Sequence, residues 1–596
     1  MCYELSLVWR FIGHHWTRYA VAWLVALALA THLQNVAIHA FDSSGTPTEK
    51  KLRRDGNEGH TTIDFGGQWL MGRMLVLGHG RELYNLRREL EVIQAAYPHS
   101  DEAPAAEKHD ADELFNSLVE KDEAVSARTR TTLQTFPTPL MAADPWQEIA
   151  IVTVCRDQFW TQKAIKELGE KDVGGPLYPP IHALIMAPLA RDNDPRSAYH
   201  FMQWLVLGMG FFAGLGVSVL TRRRVWWPVA TTLIMLYPGF KGGHDLGQNP
   251  AMTLAIIIWG WALIARGRLT AGGLVWGLLA FKPTWAAAFF LVPLLTRRWR
   301  SCAAMLAVGV GLAAATLPFV GLQTWRDWLQ VGKAASHIYD IDGNWIPLSR
   351  DLLDLCRRFL IDTTDTVPYA ERDRWYAHVI GWSIWLFILE ITVKLSQLYY
   401  RRAQATTGPW AAFILMSAFL LCLHFMYYDA LMSAAGVLLL LDPPARLFQP
   451  LILMFRSRSD PYPAAEPDPD YFKPEPAATH PELSGYRVRG TAVANSFVMY
   501  VFAILLFIQH TLPWSDLGAT FSMGRWFPET PEISNGEAVI KNGKTVMHKP
   551  TLEVPLGTKT PPLDTLFVLF LWGWCGVCLI LGKPEADQKG AGDPAH

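Results

Sequence analysis

The sequence predicts an all-helical protein that crosses a membrane many times. Of its 596 residues, 51% are hydrophobic and only 18% are charged, whereas soluble domains carry about 25% charged residues. The apolar residues gather in blocks of roughly 15–25, the length of a helix that spans a bilayer. The formal net charge of −1 gives no sign of a nucleic-acid partner. We expect an all-α polytopic protein with about 12 transmembrane or half-membrane helices among membrane lipids.

The apolar runs set the order of the predicted helices. Three pairs of runs are short or interrupted, so the helix count depends on how these pairs are interpreted. The first run follows Arg10 and Arg18 without a small-residue cleavage pattern, which predicts an uncleaved anchor. The runs lie at 19–39, 197–219, 226–240, 250–265, 271–281, 285–295, 301–320, 376–397, 409–426, 430–441, 496–512 and 563–582.

Basic residues in the short links between runs predict the orientation, because Lys and Arg prefer the cytoplasmic side. If both termini are cytoplasmic, every basic link lies inside, although the outer loop 321–375 then holds seven Lys and Arg residues. The run 271–295 is interpreted as two half-helices, since one continuous helix would reverse the orientation of everything after it. The basic links are Arg222-Arg223-Arg224, Arg266-Gly267-Arg268, Arg297-Arg298-Trp299-Arg300, Arg401-Arg402 and the region 446–458.

The hydrophilic segments divide the chain into five parts. In the first outer loop, the stretch 85–172 is rich in Glu, Lys and Ala, which favours surface helices. The segment 178–189 is too short to span and predicts a re-entrant or interfacial helix. Asn542-Gly543 predicts a β-hairpin. The parts are an N-terminal transmembrane anchor (1–40), an extracytoplasmic loop (41–196), a transmembrane core with the outer loop 321–375 (197–442), a cytoplasmic Pro- and acid-rich linker (443–495), and a C-terminal transmembrane pair with the outer loop 513–562 (496–596).

The seven cysteines do not have the spacing of a disulfide framework. Cys575 and Cys578 have the spacing of a redox or metal pair, but they lie inside an apolar run with no histidine or second cysteine pair nearby. Small residues that pack against a neighbouring helix explain them better. The sequence therefore predicts no metal and no cofactor.

One stretch of the first outer loop, Thr61 to Leu70, carries Asp64 ahead of apolar residues at helical spacing. In a structural interpretation, the Asp64 carboxylate opens an amphipathic helix, caps it and interacts favourably with its dipole. In a functional interpretation, Asp64 is a catalytic base at a membrane surface. The stretch alone favours the first interpretation, and the rest of the chain favours the second.

Polar side chains collect at the outer ends of the predicted helices. Such residues are costly within a bilayer unless they pair or line a wet cavity. Because they occur on one side, the sequence predicts a single cavity that opens to that side. They are Asp64, Tyr178, His182, His244, Asp245, Gln248, Asn249, Lys282, Asn344, His424 and Asp429.

Several of these residues also have a structural interpretation. His244 and Asp245 are common in loops, and Asn344 after a glycine is typical of a turn. The Lys282 side chain can extend to the membrane interface, and His424 can hydrogen-bond to a neighbouring helix. Their shared side favours a site, although each residue alone does not.

This set of groups suits the transfer of a sugar from a lipid phosphate. Lys282 at a helix break supplies a compact charge for a phosphate, and flanking helix N-termini add N–H donors. An acidic residue near the acceptor hydroxyl takes its proton as the anomeric carbon is attacked. A nucleotide-sugar donor would need a Gly-rich turn between a strand and a helix, and the sequence shows none. A membrane-carried donor is therefore favoured.

Short motifs at the outer helix ends follow the pattern of one family. They are Asp64-Phe65, Gly80-Arg81-Glu82-Leu83-Tyr84, Tyr178-Pro179-Pro180, Gly247-Gln248-Asn249, Ala271-Gly272-Gly273, Lys282-Pro283, and His424 with Tyr427. With these motifs the chain resembles the polyprenol-phosphate-mannose-dependent mannosyltransferases, which are C-type (GT-C) glycosyltransferases. The resemblance covers roughly 19–440. The insertion 85–172 is long for that family, and Leu421-Cys422-Leu423 stands where many relatives have Ser-Pro and a tryptophan.

The resemblance implies a GT-C fold with a large first extracytoplasmic loop, a polyprenyl-phosphate-linked sugar donor, and catalysis outside the cytoplasm at a bacterial inner (plasma) membrane. It implies that Asp64 is the base and that His424 is the catalytic histidine of a late helix. Lys282, with Arg350 or Arg357, is expected to bind the donor phosphate. The remaining expected pocket residues are Tyr178, His244, Asp245, Gln248, Asn249, Asn344 and Asp429.

The expected function is sugar transfer, mannose by analogy, to a lipid or glycan acceptor. A glycolipid flippase or transporter is the first alternative, because half-helices also suit transporters. The sequence shows no internal repeat between its two halves, however, and the polar groups lie on one side. A non-catalytic subunit of an envelope complex is the second alternative.

Overall fold

Helices form nearly all of the part of the chain that the structure describes. The structure is a computed structural model that describes residues 15–39, 60–85, 88–89, 91–92, 173–193, 195–341, 346, 349–361, 374–399, 406–440, 538–541, 544–547 and 562–581. The helices are α1 (His15–His39), α2 (His60–Val76), α3 (Pro180–Met186), α4 (Pro195–Leu220), α5 (Trp227–Leu236), α6 (Phe240–Asp245), α7 (Pro250–Ala265), α8 (Leu269–Gly277), α9 (Pro283–Leu295), α10 (Trp299–Ile341), α11 (Leu352–Leu360), α12 (Trp375–Tyr399), α13 (Pro409–Leu420), α14 (Ala434–Leu440) and α15 (Leu563–Leu581).

Prolines set where several of these helices begin. Pro180, Pro250, Pro283 and Pro409 each lie in the first turn of a helix. A proline there loses no hydrogen bond, because the first N–H groups of a helix have no intrahelical acceptor, and its fixed φ suits the helix. The predicted run 250–265 therefore has the bounds of α7.

Two helices, and not one, cover the interrupted run between α7 and α10. A Cβ built on Gly273 would lie 2.7 Å from Ser301 Cα, and one built on Gly277 would lie 2.5 Å from Val308 Cβ. Later residues of α8 thus contact later residues of α10, so the two helices run in the same direction. The chain must return between them through α9. The prediction of two half-helices is confirmed, and the alternative of one continuous helix is wrong.

The basic links gather at one end of the bundle. Arg266 Nη2 donates to the Val219 carbonyl at 2.8 Å, and Arg298 Nη1 donates to the Ile264 carbonyl at 2.9 Å. These bonds join the α4–α5, α7–α8 and α9–α10 links, as the predicted common side requires. We call this the arginine end, defined by Arg222, Arg223, Arg224, Arg266, Arg268, Arg297 and Arg298. The links at 401–402 and 446–458 lie outside the described residues.

The opposite end of the bundle, which we call the polar end, includes the start of α7 and the break between α8 and α9. Short helices cover the polar end of the bundle. Trp328 of α10 donates to the Leu177 carbonyl at 3.1 Å, and Thr324 donates to the Arg81 carbonyl at the same distance. Segments before α3 and after α2 therefore lie against the second half of α10.

The outward surface of the bundle is apolar. Four helical segments are long and apolar enough to cross a membrane, and they lie in α4, α10, α12 and α15. Large apolar side chains on these helices are more than half exposed, among them Trp204, Val310, Phe387 and Ile580. A surface of this kind faces lipid, because water would disfavour it. The described residues thus form a helical membrane protein, while the count of about 12 helices stays a prediction.

Two predicted boundaries differ from the structure. The run 226–240 is split, because α5 ends at Leu236 and a left-handed Gly239 (φ 87°) precedes α6. The outer loop 321–375 is largely helical: α10 continues past a kink at Gly321 (φ 76°) to Ile341, and α11 follows. Hydropathy detects the end of the apolar part of α10 and misses the polar continuation.

The C-terminal part is described only in places. Strands β1 (Ala538–Lys541) and β2 (Lys544–Met547) pair antiparallel with Lys541 opposite Lys544, so the predicted hairpin is confirmed. The linker 443–495 and the run 496–512 lie outside the described residues, as does 93–172 of the insertion. Of the loop 513–562, the structure describes the two strands and Pro562. Cys575 and Cys578 are free thiols, and Cys575 is buried.

Candidate active site

Three segments meet at the polar end through side-chain amides. The Tyr178 hydroxyl lies 3.0 Å from Oε1 and 2.7 Å from Nε2 of Gln248. Gln68 Oε1 lies 2.9 Å from His182 Nε2 and 3.4 Å from Asn249 Nδ2. The α3 region, α2 and the α6–α7 link are thereby joined. The structure thus brings together three predicted pocket residues: Tyr178, Gln248 and Asn249.

His182 is the buried centre of this group. Its ring stacks on Tyr178 with the centroids 4.4 Å apart, and Phe281 lies 6.0 Å away. Burial, and secondarily the charge of Lys282, lower the pKa of His182 to about 3. His182 is therefore a neutral hydrogen-bonding residue at physiological pH and not a cation for a phosphate.

Lys282 lies at the break between α8 and α9, as the sequence predicts. Its backbone (φ −124°, ψ 85°) is not helical, and its Nζ lies 2.8 Å from Asp429 Oδ1. The ammonium also lies 5.7 Å from the centre of the Tyr428 ring. Only 11% of the side chain is exposed. Lys282 is held inside the polar end by a carboxylate, and the alternative of extension to the interface is wrong.

The position of Asp429 depends on a glycine in the α5–α6 link. Gly239 has a left-handed φ of 87°, and a Cβ there would lie 2.2 Å from the Tyr428 carbonyl oxygen. We expect Gly239→Ala to lower the free energy of unfolding by about 2–5 kcal/mol, from backbone strain and from displacement of the 428–429 backbone. Thermal unfolding in detergent measures this effect.

Gly267→Ala is the matched control for that substitution. Gly267 has a similar φ of 79° but no atom within 4 Å of a built Cβ. It should cost only the backbone strain of about 1–2 kcal/mol. Equal losses in the two variants would contradict the role of Gly239 in placing Asp429.

His424 belongs to a second charged group at the polar end. Its Nδ1 lies 3.4 Å from Asp351 Oδ2, and a third of its side chain (33%) is exposed. Asp351 is buried and caps α11, because its Oδ1 accepts from the Asp354 backbone N–H at 2.9 Å. Asp354 in turn accepts from Arg357. His424 is therefore paired with an acid and is not merely a hydrogen-bonding partner of a neighbouring helix.

Electrostatics in this group depend on the closeness of its carboxylates. Burial, and next the charge of Asp351, raise the pKa of Asp354 to about 6. Burial alone would lower the pKa of His424, but Asp351, with Asp354 and Asp340, raises it above its ordinary value. A proton in this group is therefore best held on His424.

The same side chains offer the donor atoms for a metal ion. Ligand atoms of Asp351, Asp354 and His424 lie within 4.8 Å of one another. Two carboxylates and an imidazole suit a divalent cation such as Mn²⁺ or Zn²⁺. The sequence predicted no metal. In this arrangement either a proton or a metal ion would balance the negative charge of the carboxylates.

The two arginines that were expected to bind the donor phosphate form ion pairs with carboxylates. Arg350 is 1% exposed, and its Nε lies 2.7 Å from Asp564 Oδ2 in α15. Arg357 lies 2.7 Å from Asp340 Oδ1 and also pairs with Asp354. Arg350 thus neutralises the buried Asp564, and Arg357 neutralises the buried Asp354 and the partly exposed Asp340. Both arginines connect helices, and the Arg350 side chain is buried away from a ligand.

The other expected residues have different positions. His244 is fully buried in α6, where its Nε2 lies 3.0 Å from Gln34 Oε1 of α1. Asp245 beside it is also buried. Both lie in a helix and not in a loop, and His244 connects α6 to α1. Asn344 lies outside the described residues.

Asp64 lies inside α2, and its side chain is outside the described residues. Because α2 begins at His60, Asp64 is the fifth residue of the helix and is not its N-cap. The structural interpretation of Asp64 as a helix cap is therefore wrong. Its neighbour Phe65 is buried against Tyr199, with ring centroids 5.4 Å apart.

Three residues of the polar end were not predicted from the sequence: Gln68, Asp351 and Asp354. Gln68 follows Asp64 by one helical turn, which places both backbone positions on one side of α2. Asp351 and Asp354 lie three residues apart before an apolar run, which is a helix-start pattern. That pattern was available in the sequence, whereas the proximity of Asp351 to His424 was not.

Part of the chain is similar to a known protein family. Residues 177–425 match the model of glycosyltransferase family 87. This span is therefore similar to a family of membrane glycosyltransferases of the GT-C type. The family 87 match covers less than half of the chain and includes Tyr178, Gln248, Lys282 and His424. No curated protein and no solved structure matches the chain.

Proposed function

We propose that this protein transfers a sugar, mannose by analogy, from a polyprenyl-phosphate donor to a lipid or glycan acceptor. The family 87 match supports a membrane glycosyltransferase. The donor class, the sugar and a location in a bacterial plasma membrane are our proposals. The polar end would face away from the cytoplasm, because the arginine end follows the rule for cytoplasmic loops.

One observation carries the proposal. The segment 424–429 holds two charged pairs, Lys282 with Asp429 and His424 with Asp351. Each pair places a nitrogen donor at the polar end of a bundle whose sides are apolar. Positive groups held at a membrane surface fit a phosphate that is carried on a lipid chain.

The proposed reaction is a single displacement. The acceptor hydroxyl oxygen forms a bond to the anomeric carbon as the bond from that carbon to the phosphate oxygen breaks. Asp64 takes the hydroxyl proton, and polyprenyl phosphate leaves with the electron pair of the broken bond. Lys282 and His424 stabilise the charge that grows on the leaving phosphate. One displacement with one base inverts the anomeric centre.

A direct assay tests the proposal. Purified protein in liposomes should transfer radiolabelled mannose from polyprenyl-phosphate-mannose to an acceptor glycolipid, whereas a nucleotide-linked mannose should not serve as donor. Transfer from the nucleotide sugar alone would contradict the donor class. Movement of the glycolipid across the bilayer without transfer would instead favour a flippase. A search with other polyprenyl-phosphate sugars identifies the sugar.

A further inference from the structure

We propose that Asp564 and Thr565, at the start of α15, are positioning residues for the groups that bind the donor phosphate. They hold Arg350 and thereby keep the segment 349–351 paired with the segment 424–429. The second segment carries one member of each of the two charged pairs described above. This inference rests on the proposed function, because it assigns roles in that reaction. It adds to the site a helix that lies beyond the C-terminal limit of the family 87 match.

The Asp564 carboxylate is held at both of its oxygens. Its Oδ1 accepts from the Thr565 backbone N–H at 2.8 Å, and its Oδ2 accepts from Arg350 Nε at 2.7 Å. The exposed fraction is 8% for the Asp564 side chain and 1% for that of Arg350. Asp564 also lies in the first turn of α15, where the helix dipole favours a negative charge. The carboxylate thus fixes the Arg350 side chain to the start of α15.

A second hydrogen bond joins α15 to the backbone of Arg350. Thr565 Oγ1 donates to the Arg350 carbonyl at 2.8 Å, and Thr565 is only 1% exposed. Because this site is buried, water cannot easily replace the hydroxyl if the bond is lost. Arg350 is therefore held at its side chain by Asp564 and at its backbone by Thr565.

The segment 349–351 is in turn bonded to the polar end. The Arg350 N–H donates to the Phe425 carbonyl at 3.0 Å. The neighbouring Ser349 forms a backbone bridge with Met426. The position of Arg350 therefore sets the position of the backbone at 425–426.

The segment 424–429 extends this connection to Lys282. The Asp429 N–H donates to the Met426 carbonyl at 2.9 Å, and the Asp429 carboxylate lies 2.8 Å from Lys282 Nζ. Lys282 and His424 are the groups proposed to stabilise the charge on the leaving phosphate, and such groups must be in place before the reaction. A small displacement of this segment would therefore lower the rate more than it weakens binding.

α15 is also attached to the bundle at a level away from the polar end. Trp572 Nε1 donates to Ser417 Oγ of α13 at 2.8 Å, and the Trp572 ring stacks on Phe413 with the centroids 5.5 Å apart. Trp572 lies about two helical turns after Thr565. These contacts stabilise α15 at a different level from Arg350, so Trp572→Phe is a matched control.

Thr565→Val tests the role in transfer, because it keeps the shape of the side chain, removes the hydroxyl and leaves the ion pair of Asp564 intact. We expect kcat for transfer from polyprenyl-phosphate-mannose in liposomes to fall by about 3- to 10-fold, the factor for one buried hydrogen bond. The KM of the donor should change less. Thr565→Ser retains the hydroxyl and should recover most of kcat. Asp564→Asn should lower kcat and stability further, since it leaves Arg350 buried without a counter-charge.

Hydrogen exchange tests the connection without any substrate. Mass spectrometry of the full chain in detergent follows the peptides that contain the Arg350 and Asp429 amides, both of which donate to backbone carbonyls of the segment 424–429. Thr565→Val should raise the exchange rate in both peptides by about 3- to 10-fold. Trp572→Phe should lower thermal stability at least as much, and it should leave exchange in these peptides and kcat as in wild type.

Three results would overturn the inference. An unchanged kcat in folded Thr565→Val would show that α15 does not position the groups for transfer. Equal losses of kcat in Thr565→Val and Trp572→Phe would assign to α15 a general effect on stability. Unchanged exchange in both peptides would show that the Thr565 hydroxyl does not hold the two segments together. Failure of sugar transfer in wild type would instead contradict the proposed function, and the exchange rates would still decide whether α15 holds the segments together.

Discussion

Asp64→Asn is expected to lower sugar transfer by about 10²- to 10⁴-fold, the range for removal of a general base. Asparagine has nearly the same shape as aspartate, but it cannot accept the proton of the acceptor hydroxyl. Initial rates of transfer from polyprenyl-phosphate-mannose in liposomes measure the effect. Binding of the donor should change little, because the proposed phosphate-binding groups are Lys282 and His424.

Two controls sharpen this test. Glu91→Gln changes another acid of the first outer loop, one whose side chain is 53% exposed in the pair with Arg88, and should leave the rate unchanged. Thermal unfolding of Asp64→Asn should match wild type, since Asp64 does not cap α2. A stable Asp64→Asn protein with a near-normal rate would exclude Asp64 as the base.

Lys282→Met should reduce both stability and transfer, for separable reasons. Removal of one partner of a buried ion pair costs about 3–5 kcal/mol, because the other charge stays buried without compensation. Here that charge is Asp429, of whose side chain 7% is exposed. Transfer should fall further than instability explains, since the proposed phosphate contact is also lost. Thermal unfolding and initial rates on the same preparation measure the two losses.

The double variant Lys282→Met/Asp429→Asn separates them. Asparagine removes the uncompensated charge at Asp429, so most of the stability should return. Transfer should not return, because no ammonium remains at the break between α8 and α9. Lys282→Arg should keep part of the activity, limited by the different shape of guanidinium. Recovery of both stability and rate in the double variant would mean that Lys282 is only structural.

Local rules predicted much of the fold from the sequence. The predicted runs 250–265 and 409–426 begin where α7 and α13 begin. Basic links predicted a common end, and contacts of Arg266 and Arg298 place three of these links together. These features can be predicted from the sequence because each depends on a few neighbouring residues or on one side of a membrane.

Pairings between distant charges could not be predicted in the same way. Lys282 and Asp429 are 147 residues apart, and Arg350 and Asp564 are 214 apart. Hydropathy and spacing identify a charge that needs compensation, but they do not say which carboxylate supplies it. For this reason Lys282 was placed correctly at a helix break, whereas Arg350 was expected at a phosphate and is paired with α15.

Several core helices are shorter than a bilayer is thick. α7 has 16 residues and α13 has 12, which gives lengths of about 24 and 18 Å, against about 30 Å for the hydrocarbon layer. If the arginine end lies at the cytoplasmic headgroups, the far ends of these helices stop several ångströms below the opposite surface. A lipid-linked phosphate would then reach Lys282 laterally, through a locally thinned region of the bilayer. A hydrophilic acceptor would enter from the outer surface to the same depth.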